Sequence, residues 1–221
     1  MISFLGNSGT VLSNNLYSYC ENNPISRIEY NGCFWISLIV AGVSYLYLGG
    51  NLVHSVYNQS KLHHGYIYNQ NKGRASEYYF GFFKSSYNGC GWIATYNAAI
   101  MLGTHYNPNE IIAEYEFTGA ILGGTFGIQP YAISWFFESK GYDVTITYDT
   151  KKFNEIAKKS TSNIIFYAHS KGAHYVALQW DGSKFVGYNT YSSSNGPDNL
   201  GSSLLKFLGK DRDSILLISI N

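Results

Sequence analysis

The chain has 221 residues, 45% of them hydrophobic, 17% aromatic and only 13% charged. That length and apolar content are enough to bury a real core and exclude intrinsic disorder. Fifteen basic against fourteen acidic side chains leave a formal charge of +1, with no basic stripe to neutralise phosphates, so nucleic acid is excluded as a partner. The three cysteines, Cys20, Cys33 and Cys90, have neither disulfide-framework nor metal-ligand spacing, and neither a metal nor a cofactor is expected. A single reactive thiol is compatible with that count. The first ten residues lack Lys and Arg and are broken by Gly6 and Asn7, so they do not read as a secretory signal.

In chain order, the first patterned stretch is Asn15–Gly32, NLYSYCENNPISRIEYNG. It resembles the closing segment of the RHS/YD-repeat core, of the form NLYxYxxNNPxxxxDPxG, with Glu29-Tyr30-Asn31-Gly32 standing where that family has Asp-Pro-x-Gly. The resemblance implies that residues 1–32 end an RHS core and that a variable C-terminal domain, often a toxin, follows. It also implies a chain exported or held at the cell surface within something larger, with an immunity protein among its partners.

Residues 33–60 form an uncharged connector. Cys33 to Gly50 is, at ~1.5 Å per residue, just long enough to span a bilayer as a helix, with Trp35, Tyr45 and Tyr47 near its ends. It reads equally as a buried hydrophobic helix or a strand pair. Asn51 to Ser76 is polar and irregular, as a linker would be, and His63-His64 within it lacks further ligands at metal spacing.

The last domain, 61–221, has readable elements. Trp92, Ile93, Tyr96, Ile100 and Met101 fall at helical spacing, with Gly103 as the stop. Asn107-Pro-Asn-Glu110 caps a second helix, Gln129 to Phe137 forms a third ended by Gly141, and Asp149 to Ala157 a short fourth. Strand patterns follow at 143–148, 163–168, 174–180 and 184–190, the last two joined through Asp181-Gly182, and at 214–220. Helices first and an antiparallel sheet afterwards make an α+β domain. Trp92, Trp135, Phe136 and Phe137 are expected in the core.

Cys90 lies at the start of the first of these helices between Gly89 and Gly91. Free amides and the helix dipole favour a thiolate there, and small neighbours let a substrate approach. An imidazole would complete the activation. His174, opening an apolar strand, is the first candidate, and His169 is its rival. Asn189 sits on the partner strand of the same hairpin, where its amide oxygen could orient the ring. Asp181 belongs to the turn, and His105 to the surface. Gly123-Gly124-Thr-Phe-Gly127 lacks the Lys-Ser/Thr of a P-loop and reads as a loop shaping a cleft.

This Cys, His, Asn order resembles the papain-like cysteine peptidases, most closely the bacteriocin-leader peptidases, over Tyr87 to about Ile220. The resemblance implies Cys90 as nucleophile, His174 as general base and acid, and Asn189 as orienting residue. Those peptidases commonly carry an oxyanion-hole Gln six residues before the Cys, where this chain has Lys84. Asn88, or the Cys90 N–H with another donor, is the substitute expected here. The implied chemistry is hydrolysis of an amide bond in a protein or peptide through a Cys thioester. Glutamine deamidation, transglutamination and acyl transfer share that intermediate. Two other classes compete: an inactive binding domain of a surface protein, and a membrane-active chain acting through 33–50.

Overall fold

The computed structural model describes residues 33–59, 61, 63–170, 172–192, 195–209 and 212–221, with only the backbone at 33–41 and 214. The RHS-like segment, residues 1–32, lies outside the described residues. The chain divides into two compact units, Met1–Leu46 and Tyr47–Asn221. The described part of the first is the opening of a helix, α1 (Cys33–Gln59), so 33–50 is helical rather than a strand pair. Among the described residues no helix is long and apolar enough to cross a membrane.

Within the second unit, α1 continues to Gln59 and presents Tyr47, Asn51, His54 and Asn58 inward. Their spacing of four, three and four residues puts them on one stripe. His54 Nδ1 lies 2.8 Å from Gly81 O, and Asn58 exchanges hydrogen bonds with both backbone groups of Tyr79. Leu52, Val53 and Val56 face outward, each about two-thirds exposed, because the protein beneath offers carbonyls instead of a core.

The polar stretch after α1 is not a free linker. Ile67 is buried, and Asn97 clasps its N–H and its carbonyl at 2.8 Å each. Tyr66 stacks on Tyr188 at 4.2 Å. Side-chain amides thus replace the periodic apolar contacts whose absence makes this segment look like a linker. A short 3-10 turn, Gly73–Glu77, leads to a small hairpin, β1 (Tyr79–Phe80) and β2 (Phe83–Lys84), and to α2 (Ser85–Asn88).

The helical layer follows the sequence closely. It comprises α3 (Cys90–Met101), α4 (Pro108–Thr118) and α5 (Pro130–Glu138). Asn107 and Glu110 form a reciprocal cap at the start of α4, with Pro108 where its missing N–H costs nothing. The sheet has the order β3-β8-β4-β5-β6-β7 and is antiparallel throughout. Its strands are β3 (Val144–Thr147), β4 (Ser162–His169), β5 (Gly172–Trp180), β6 (Phe185–Tyr188), β7 (Asp198–Gly201) and β8 (Arg212–Ile220). The expected hairpin is present, closing with Trp180 opposite Phe185. β8 inserts between β3 and β4, one strand in from the edge of the sheet.

Both faces of the sheet are covered, which is why its middle strands read as continuous apolar runs. Ile164, Tyr175, Ala177 and Ile218 pack with Trp92, Ile93, Ile111 and Phe136 of α3–α5. On the other face, Ile165, Tyr167, Val176 and Leu217 meet Phe153 and Ala157 of α6 (Phe153–Lys159). Leu204 and Leu208 of α7 (Leu204–Leu208) complete that layer. Trp92, Phe136 and Phe137 are buried as expected, but Trp135 is 54% exposed, because α5 buries only the face that meets α4 and the sheet.

Candidate functional site

The geometry of the site begins with where β6 stops. It pairs with β5 only across Ala177–Trp180, and at Asn189 the backbone turns left-handed with φ 62°. The first half of β5 therefore has β4 on one side and an open edge on the other. That edge receives the start of α3: the backbone N–H of Tyr175 faces the Cys90 sulfur, as do the N–H groups of Gly91 and Cys90. His174 precedes Tyr175 on the same strand. One strand edge and one helix start thus carry both the thiol and the imidazole.

His174 is completely buried. Its Nε2 lies 2.5 Å from the carbonyl oxygen of Asn189. A carbonyl can only accept, so Nε2 carries the proton and the neutral ring presents an unprotonated Nδ1. Burial pushes the imidazole down to about 4, with His169 and Arg212 adding to the effect against the Asn189 carbonyl, so the neutral form dominates at neutral pH. Nδ1 has no hydrogen-bond partner. The Tyr191 ring stacks on the imidazole at 3.9 Å, and Tyr167 meets it edge-on at 5.9 Å. Tyr191, like Asn189, has a left-handed backbone, with φ 64°.

Cys90 is buried at the predicted helix start, and its electrostatics differ from the expectation. Burial pushes the thiol up to about 11, and the three facing N–H groups offset only part of that. A helix N-terminus lowers a thiol most when water or a cation shares the charge. Here the sulfur is enclosed by protein, the imidazole is neutral, and no hydrogen bond joins it to Nδ1. Burial thus favours the neutral thiol at Cys90 and the neutral imidazole at His174.

Three further expectations are corrected. Asn189 meets the His174 ring through its backbone carbonyl and not its side-chain amide. Its side chain is taken by Gln70, whose N–H donates to Oδ1 at 2.8 Å and whose Oε1 accepts from Nδ2 at 3.1 Å. Asn88 is not free to serve an oxyanion, because its Nδ2 donates to Phe80 O at 2.9 Å and Gly124 O at 2.8 Å. It pins the glycine loop to the β1–β2 hairpin. The glycines flanking Cys90 serve packing: a Cβ on Gly89 would stand 2.6 Å from Ser85, and one on Gly91 2.3 Å from Ile128.

Lys84 is exposed at the end of β2, so the N–H groups of Cys90, Gly91 and Tyr175 are the donors nearest the sulfur. His169 ends β4, meeting Tyr191 edge-on at 5.9 Å and Tyr167 in a tilted arrangement at 6.0 Å. His105 is exposed and Asp181 closes the β5–β6 turn, accepting from Ser183 and Lys184 N–H. Among the described residues no group of His, Cys, Asp or Glu could hold a metal ion.

Gln70, Tyr167 and Tyr191 were missed by sequence reasoning. Tyr167 was within reach, because pairing the β4 and β5 patterns places it directly opposite His174. Gln70 lies 119 residues from Asn189 and gives no local signal.

No family model matches the sequence, and no curated protein matches it. Among solved structures, the chain is similar to the peptidase domain of Streptococcus ComA, a bi-functional ABC transporter involved in a quorum-sensing pathway. That similarity covers 60% of this chain and 90% of the other, at 14% identity and a TM-score of 0.42.

Proposed function

We propose that the domain is a papain-like cysteine hydrolase that cleaves an amide bond of a protein or peptide at Cys90. The carrying observation is the imidazole of His174, held at Nε2 by a carbonyl and left with a buried, unpartnered Nδ1. Desolvating a ring nitrogen without a partner is costly, and a proton acceptor at a reaction centre is a reason to keep one. In this reading Nδ1 takes the Cys90 proton as the sulfur attacks the substrate carbonyl. The N–H groups around the sulfur receive the developing oxyanion. His174 then passes its proton to the departing amine, and water, deprotonated by the same nitrogen, resolves the thioester. Within the larger reading the domain is the effector of an RHS-type toxin, a role supported by the NLYSYCENNP stretch preceding it.

The test is acyl trapping on the full chain carrying Cys20→Ser and Cys33→Ser. An activated acyl ester should acylate Cys90 stoichiometrically, visible as added mass on its peptide, and His174→Gln should abolish this. Release by water, by an added amine or with ammonia from glutamine then separates hydrolase, transferase and deamidase. A second reading, an inactive binding domain, is favoured by the buried, un-ionised thiol and predicts no acylation at all.

A further inference from the structure

A cavity of about 820 Å³ opens beside the site, and its lining includes Tyr167, His169, Thr190, Tyr191, Lys206 and Arg212. Tyr167 and Tyr191 form the wall between it and the reaction centre: both touch the His174 ring, and both lie within electrostatic reach of the Cys90 sulfur. Among the described lining residues the charge is one-sided: Lys206 and Arg212 bring two permanent cations and His169 a third basic group, with no carboxylate among them. The carboxylate of Asp198 accepts from the hydroxyl of the lining residue Thr190.

The Arg212 guanidinium is held in place. Nη1 donates to Phe207 O at 2.5 Å, and the group lies 4.8 Å from the Phe207 ring centre and 5.5 Å from that of Tyr167. The group also hydrogen-bonds the Tyr167 side chain, and a guanidinium with five N–H donors still keeps others for a carboxylate. We propose that this cavity is a substrate subsite for a carboxylate, carried by the peptide residue lying on the His174 side of the cleaved bond. The proposal rests on the hydrolase reading and adds a substrate class to it.

The placement has a consequence for the chemistry. Proton transfer from Cys90 to Nδ1 creates an imidazolium in the field of Arg212, which opposes positive charge at His174. A carboxylate in the cavity offsets that field, so the thiolate–imidazolium pair forms most readily with an acidic substrate present. Only the proton moves in this step, from Sγ to Nδ1.

The test is calorimetric titration of the full chain with acetyl-Gly-Glu-amide, acetyl-Gly-Gln-amide and acetyl-Gly-Gln bearing a free C-terminal carboxylate. At least tenfold tighter binding of one carboxylate peptide over acetyl-Gly-Gln-amide is expected, and which one identifies side chain or C-terminus as the source. The preference should collapse in Lys206→Gln, whose side chain is on the surface of α7, and in Arg212→Gln. It should persist in Cys90→Ser, since binding does not require the thiol. Equal binding of all three peptides, no binding of any, or a preference untouched by Lys206→Gln would overturn the proposal. Selective binding without acylation of Cys90 would keep the subsite and remove the enzyme reading; acylation without selectivity would do the reverse.

Discussion

Gln70 grips the side chain of Asn189, whose carbonyl meets His174 Nε2, and the orientation of the ring is expected to depend on it. It is fully buried, and its side chain makes two hydrogen bonds: Oε1 accepts from Asn189 Nδ2 at 3.1 Å, and Nε2 donates to Ser86 O at 3.0 Å. Gln70→Ala removes both and leaves a buried amide donor and a carbonyl without partners. At ~1 kcal/mol for each bond plus the desolvation of the orphaned groups, the expected loss is about 2–4 kcal/mol. The Gln70 N–H still reaches Asn189 Oδ1, so the fold should survive. Urea unfolding followed by tryptophan fluorescence measures the loss. Acylation of Cys90 should fall by more than the folded fraction explains, because Asn189, left with only the backbone N–H of residue 70, holds its carbonyl less firmly on Nε2. A change below about 0.5 kcal/mol, the range of ordinary surface substitutions, would refute the bracing role.

Three other substitutions carry predictions. A Cβ on Gly81 (φ 58°) would lie 2.0 Å from the Gly123 carbonyl oxygen, so Gly81→Ala should cost roughly 3 kcal/mol or more in thermal unfolding, through clash and left-handed strain. Gly141→Ala, at φ 86° in open space, should cost only about 1 kcal/mol, and equal effects would contradict the close approach. Glu116 is pushed up to about 7 by burial, against an ordinary 4.5, while its Oε1 accepts from Gly81 N–H at 2.8 Å. Because the folded value is the higher one, its stabilising effect is present below pH 4.5 and is lost as pH rises through 7. Glu116→Gln should match the parent near pH 4 and exceed it by about 2 kcal/mol at pH 8, after discounting for partial hydration. An equal gain at both pH values would show that Glu116 does not titrate in this interval.

The helices and the sheet were legible because their signals are local. The Asn107–Glu110 cap, the Asp181-Gly182 turn and the two-faced apolar runs of 163–168 and 174–180 each declare an element within a few residues. Segment 61–72 was not, because it is fixed by amides, such as Asn97 on Ile67, that have no periodicity. The short α7 was missed for a related reason: its two buried leucines make one turn and show no repeat. At the site, the sequence nominated Cys90, His174 and Asn189 by their chain order. What the pattern could not supply was which atom of Asn189 faces the ring, since a left-handed backbone at 189 is not written in the identity of the residue. Nor could it supply the burial that reverses the expected ionisation of Cys90: the helix start was visible in the sequence, the enclosure by β5 and the tyrosines was not.

The central claim is that His174 Nδ1 is the base for Cys90, and the pH profile of Cys90 alkylation by iodoacetamide tests it most directly. The full chain with Cys20→Ser and Cys33→Ser leaves Cys90 as its only thiol. The account predicts a reactive plateau extending from neutral pH down to an apparent value near 4, where His174 takes up its proton, and loss of that plateau in His174→Gln. A single rise towards pH 11, unchanged by His174→Gln, would be the behaviour of an isolated buried thiol and would contradict it.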